Sequence, residues 1–127
     1  MDLKSLVLEN MNGIDQISLF SSLDIVLGAH GAAMTNLIFM APNSLLYEFF
    51  PPQWKFACYY RLSSNCGILY AKDTAEGEIG PECKKNINSL ACQYRGIRDR
   101  DFTMRKEVVV KTVEKSIQRV LQVKYQQ

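Results

Sequence analysis

His30 is the only imidazole in the 127-residue chain, and it lies in IVLGAHGAAMT, residues 25–35, where strand-like apolar residues give way to small ones. Gly28 and Gly31 would let a ligand come close to the backbone. The amides of Gly31, Ala32 and Ala33 would open the following helix without intrahelical acceptors. Unpaired N–H groups at the positive end of a helix dipole suit a phosphate or pyrophosphate. His30 can donate to the same oxygens or carry charge beside them, and Thr35 offers a hydroxyl one turn further on. A turn of small residues also packs a helix closely on a sheet, with His30 an ordinary hydrogen-bonded side chain, and glycines alone do not choose between these readings.

Glu48 is the second candidate. It is the only charge in SLLYEF, residues 44–49, and it stands near the C-terminal end of that strand-like run, on the same sheet edge as His30. A carboxylate there can accept both hydroxyls of a ribose, as an acidic residue does in dinucleotide folds. It can equally be a strand-end residue reaching solvent.

The elements that must position these residues are legible from periodicity. Residues 5–9 (SLVLE) read as a strand ended by Asn12-Gly13, and Ile14, Ile17, Leu19 and Phe20 as a helix with Asp15 in its first turn. Residues 25–28 predict a second strand, and Met34, Leu37, Ile38 and Phe39 the buried face of a helix ended by Pro42. Residues 44–49 predict a third strand stopped by Pro51-Pro52, 54–62 a short amphipathic helix, and 67–71 a fourth strand. Strands alternating with short helices indicate an α/β fold, a Rossmann-like parallel sheet with flanking helices. Residues 72–104 lack a period and read as an irregular loop or insertion. Residues 105–123 predict a closing helix with Val109, Val113, Ile117, Val120 and Leu121 as its apolar stripe.

Composition bounds the remaining possibilities. Apolar residues make up 47% and charged ones 22%, consistent with one globular domain over 1–127. A net charge of +2 argues against a dedicated nucleic-acid binder, which carries a basic stripe. Met1 is followed by Asp2 and Lys4 and then by no long apolar run, so no secretory leader is read here. Residues 25–47 lack Asp, Glu, Lys and Arg, but His30, Asn36, Pro42 and two glycines make them a buried strand–helix–strand and not a membrane span. Among four cysteines, Cys83 and Cys92 flank a short loop and are the favoured disulfide; Cys58 and Cys66 read as buried thiols. One histidine and no C-x-x-C leave no zinc pattern. Arg61, Lys72, Arg95, Arg98 and Arg100 are candidates to meet phosphate or acceptor groups, with solvated surface charge the alternative. Trp54 and Phe56 read either as core or as a stacking surface for a uracil.

Residues 23–52, LDIVLGAHGAAMTNLIFMAPNSLLYEFFPP, resemble the HGAGLTN segment of the family 61 glycosyltransferases. His30, Gly31, Ala32, Thr35, Asn36, Phe39, Pro42, Glu48 and Pro51 follow that pattern, while Ala33 and Met34 replace its usual Gly and Leu. Asp15-Gln16-Ile17 and Arg98-Asp99 are also family-like. The resemblance implies one lobe of a GT-B-type enzyme, the C-terminal donor-binding lobe, metal-independent and without a cofactor. It implies a UDP-sugar donor, a glycoprotein or glycan acceptor, and the Golgi or endoplasmic reticulum lumen. His30, Gly31, Ala32, Ala33 and Thr35 would bind the donor diphosphate, with Glu48 on the ribose. The catalytic residues stay unknown; residues 1–127 are expected to form a single, incomplete lobe without the acceptor lobe and catalytic base, and alone not to turn over. A non-catalytic nucleotide-binding or interaction module is the alternative. A nicotinamide-dependent half is disfavoured because Gly28-Ala29-His30-Gly31 lacks the G-x-G-x-x-G order, and no G-x-S-x-G elbow supports a hydrolase.

Overall fold

Three strands, β1 (Ile25–Ala29), β2 (Leu45–Phe50) and β3 (Leu69–Thr74), pair in parallel in the order β1-β2-β3. The computed structural model describes residues 2–126; Met1 and Gln127, the ends of the single domain read from the sequence, lie outside them. The central strand is nearly all buried, as a strand covered on both faces must be. The architecture is α/β and Rossmann-like.

Alternation along β2 sorts the two layers. Leu46 faces a core built from Phe20, Met34, Leu37, Met40 and Ile68, which joins α1 (Gly13–Ser21), the segment Ala32–Phe39 and α2 (Cys58–Asn65) to one face. Leu45 and Tyr47 face α3 (Lys106–Tyr125) on the other, against Val120, Val109 and Val113. Polar bonds lock that second face. The Tyr47 hydroxyl and Thr112 Oγ1 both donate to Asp73 Oδ2 at 2.5 Å, and Arg119 Nη1 donates to the Tyr70 carbonyl at 2.9 Å. α1 begins where the Asn12 side chain accepts from the Asp15 amide, and Gln16 then accepts from Asn36 Nδ2 at 2.9 Å. That bond ties the first helix to the segment after β1.

Several expectations are corrected. Residues 5–9 form no strand, because nothing pairs with them; Leu6 and Val7 are exposed and only Leu8 packs on the core. A short apolar run without a partner does not hold strand geometry. The segment Ala32–Phe39 is a 3₁₀ helix and not an α-helix. α2 starts at Cys58, later than read, since Gln53 turns through a positive φ of 62° after the two prolines. The irregular stretch begins later too: Lys72, Asp73 and Thr74 continue β3 opposite Glu48, Phe49 and Phe50.

The remainder of that stretch is shaped by a staple. Cys83 and Cys92 are joined as a disulfide between a 3₁₀ turn (Pro81–Cys83) and a π-helical segment (Cys92–Arg98). The Gly80 amide donates to the Gly96 carbonyl at 2.7 Å. The backbones approach so closely that a β-carbon on Gly80 would lie 2.8 Å from Gly96 Cα, and one on Gly96 would lie 2.6 Å from Cys83 Sγ. Only glycine fits either position. Cys58 and Cys66 remain free thiols. Replacing Cys83 and Cys92 together by Ser should lower unfolding stability by about 2–3 kcal/mol through the entropy of the opened loop. Denaturant titration of the two proteins checks this, and equal midpoints with equal slopes would refute it.

Candidate functional site at the carboxyl edge of the sheet

The period of two that buries Leu46 also directs Glu48 and Phe50 to the same face, and β1 carries Val26, Gly28 and His30 on that face in matching register. Gly28 lies level with Glu48 and presents no side chain there; a β-carbon on it would meet Met34 Cε at 3.4 Å. The His30 amide donates to the Phe49 carbonyl at 2.8 Å, so the ladder fixes the backbone at the point where the strand ends.

Glu48 is fully buried, and both of its oxygens are engaged. His30 Nδ1–H donates to Oε1 and the Tyr70 hydroxyl donates to Oε2, each through a short contact. A buried carboxylate is tolerated only when paired and hydrogen-bonded, and here both partners come from the neighbouring strands. The ribose contact expected for Glu48 is therefore replaced by a different one: no oxygen is free for a diol unless His30 or Tyr70 leaves. The bond to Nδ1 leaves Nε2 as the nitrogen through which His30 meets its surroundings. Rings enclose the imidazole. Phe50 stacks at 5.4 Å, Tyr59 lies at 5.3 Å, Trp54 at 5.9 Å and Phe56 edge-on at 6.0 Å, so the side chain is only 10% exposed. Phe56 is itself half exposed. The Trp54 indole N–H is buried and has no acceptor among the described residues.

His30 opens on one side into a cleft of about 570 Å³ between the strand ends and a second wall formed by Arg98, Asp99, Arg100 and Asp101. Gly31, Ala32, Ala33 and Thr35 do not line that cleft. They follow His30 along its rim, where Ala32, Ala33 and Thr35 are exposed. Gly31 has extended backbone and the first bond into the 3₁₀ helix is made by the Met34 amide, so the amides of Gly31, Ala32 and Ala33 have no acceptor among the described residues. Of the basic candidates, Arg98 and Arg100 reach the cleft, Lys72 lies 6.0 Å over Phe50, and Arg61 and Arg95 are exposed elsewhere. Asp99-Arg100-Asp101 does have Asp-X-Asp spacing, a triplet left out of account in reading the chain as metal-independent. The Asp99 carboxylate is committed to Arg98 through both oxygens at 2.6 and 3.1 Å, and that guanidinium holds its pKa below the usual carboxylate value.

Three participants escaped the sequence reading. Tyr70 was read only as part of an apolar strand, although its register opposite Leu46 places it on the face of Glu48. Tyr59 and Phe50, which no sequence pattern singles out, wall the imidazole.

The fold and the gathering of polar groups at its carboxyl edge define a Rossmann-like α/β lobe. A family model described as Glycosyltransferase 61 matches residues 1–47, and over this segment the chain is similar to that family. The match includes His30, Gly31, Thr35, Asn36 and Pro42 and stops one residue before Glu48; Pro51 and Arg98-Asp99 lie beyond it. No curated protein and no solved structure gives a match to the chain. No helix among the described residues is long and apolar enough to cross a membrane.

Burial, and after it the hydrogen bond and negative charge of Glu48, push the Tyr70 phenol well above its ordinary value. Burial and Asp73 do the same to Tyr47. Unfolded, both would ionise near pH 10, so the stability they confer is complete below that pH and is lost as pH rises above it. Stability measured from pH 8 to 11 should fall in the last unit, and Tyr70→Phe should flatten the fall. An unchanged slope in Tyr70→Phe counts against the pairing with Glu48. Glu48→Ala should cost at least about 2 kcal/mol, because His30 and Tyr70 lose their shared acceptor. A wild-type denaturation midpoint in that variant would mean the carboxylate is not buried as described.

Proposed function

We propose that the chain binds a UDP-activated sugar at the carboxyl edge of its sheet and supplies the donor site for transfer of that sugar to a hydroxyl of a glycoprotein or glycan in the secretory pathway. The observation that carries this reading is the buried Tyr70–Glu48–His30 chain beside three unpaired amides; His30 and those amides lie in the segment that matches the family model. During transfer the acceptor oxygen bonds to the anomeric carbon as the bond from that carbon to the phosphate oxygen breaks, and negative charge develops on the departing diphosphate. The amides of Gly31, Ala32 and Ala33, and the Nε2 side of His30, are the groups that would meet this charge, with Thr35 adding its hydroxyl. Glu48 serves the same site indirectly by fixing the tautomer and orientation of His30, with Tyr70 holding the other oxygen. Enclosure of the imidazole by aromatic rings lowers the local dielectric and strengthens any bond it makes to an anion. The exposed face of Phe56 suits a nucleobase. These groups would stabilise the leaving group without a metal ion.

Titration of the purified chain with UDP, followed by NMR or calorimetry, tests the reading, with NAD as the comparison ligand. UDP should bind and NAD should not. His30→Ala should weaken UDP roughly 10- to 100-fold, the loss of one hydrogen bond to a charged group. Equal affinity for UDP and NAD would favour a general nucleotide module, and no effect of His30→Ala would remove the imidazole from the site.

A further inference from the structure

Two arginines reach the cleft, and the geometry separates them. Arg98 is bonded by both oxygens of Asp99 and lies 4.4 Å over the Tyr94 ring, so its charge is matched and its plane is occupied. Arg100 forms no ion pair among the described residues. The glycine contact that closes the stapled segment gathers both signs of charge: a β-carbon on Gly80 would meet Glu82 Oε2 and come within 3.0 Å of Arg100 Nη1, so that carboxylate lies near the guanidinium without forming an ion pair with it. The bare α-carbon of Gly80 thus makes room for a cation at the mouth of the cleft that His30 and Phe49 line from the other side. His30 contributes little net charge, because the buried carboxylate of Glu48 is in direct contact with it.

We propose that Arg100 is the residue that binds the ligand's phosphate groups from the second wall of the cleft, with Arg98 only shaping that wall. This inference rests on the donor-site reading above and adds to it a phosphate contact far from His30 in sequence. A guanidinium that forms no ion pair with the protein has donors for two phosphate oxygens at once. Asp101, also on this wall and without an ion-pair partner among the described residues, opposes an anion and supplies a control of opposite sign.

The experiment measures binding of UDP and of inorganic pyrophosphate to the full chain in EDTA, for wild type, Arg100→Gln, Arg100→Lys, Arg98→Gln and Asp101→Asn, each checked for folding by circular dichroism and thermal melting. Arg100→Gln should weaken both ligands tenfold or more, Arg100→Lys should restore part of the loss, and Arg98→Gln should change affinity less than threefold. Asp101→Asn should bind as tightly as wild type or more so. Wild-type affinity in Arg100→Gln would overturn the assignment while leaving the donor site standing. Binding that requires added Mn²⁺ and disappears in Asp101→Asn would overturn it in favour of a metal at Asp99-Arg100-Asp101. Failure of wild type to bind UDP would instead remove the donor reading and this inference with it.

Discussion

The buried carboxylate of Glu48 is the constraint around which this structure is arranged. An ionised group cannot occupy the middle strand of a covered sheet unless both oxygens find donors. Glu48 takes one donor from the end of β1 and one from β3. The parallel order β1-β2-β3 and the register Gly28↔Glu48↔Lys72 are what bring those donors within reach. A slip of one residue in either pairing would turn His30 or Tyr70 to the opposite face and strand the charge. The polar chain therefore specifies register as well as preparing a site, and its cost in desolvation explains why the surrounding rings pack so closely on it.

Much of this was legible in the residues themselves. The strand of 25–29, the small-residue turn, the central strand and the closing helix follow from apolar period and from Gly and Pro. That His30 and Glu48 share an edge follows from the same patterns. What periodicity does not carry is pairing. It could not say that residues 5–9 stay unpaired, because an apolar run of strand length becomes a strand only when another edge accepts it. Nor could it say that Glu48 faces inward: strand-end carboxylates reach solvent or turn into the core according to the neighbours that tertiary structure supplies. Tyr70 was hidden for the same reason, since a tyrosine in an apolar strand looks like packing until its register is known.

The stretch after β3 was opaque for a different reason. Its order comes from one disulfide and from a contact between Gly80 and Gly96, and neither leaves a periodic trace. Cys83 and Cys92 could be paired by their nearness in sequence, whereas the approach of two glycines sixteen residues apart could not be foreseen. That contact nevertheless delivers Arg98 to Asp101 to the strand ends. The cleft thus has one wall built by sheet register and another built by a covalent staple.

The two walls also differ in how they can attract an anion. On the sheet side, Glu48 cancels much of what a protonated His30 would offer, so attraction there comes from short-range donors: the imidazole N–H and the free amides that follow it. Such donors discriminate by geometry, acting only on an oxygen within about 3 Å. On the stapled side Arg98 is neutralised by Asp99, whereas Arg100 forms no ion pair among the described residues, with Glu82 and Asp101 near it, and its charge acts over a longer range and is screened by salt. On the donor-site reading proposed above, a site divided in this way would hold a diphosphate weakly from one side and align it from the other. It gains most when charge grows on the leaving oxygens, because the fixed donors are already oriented and need no rearrangement as transfer proceeds.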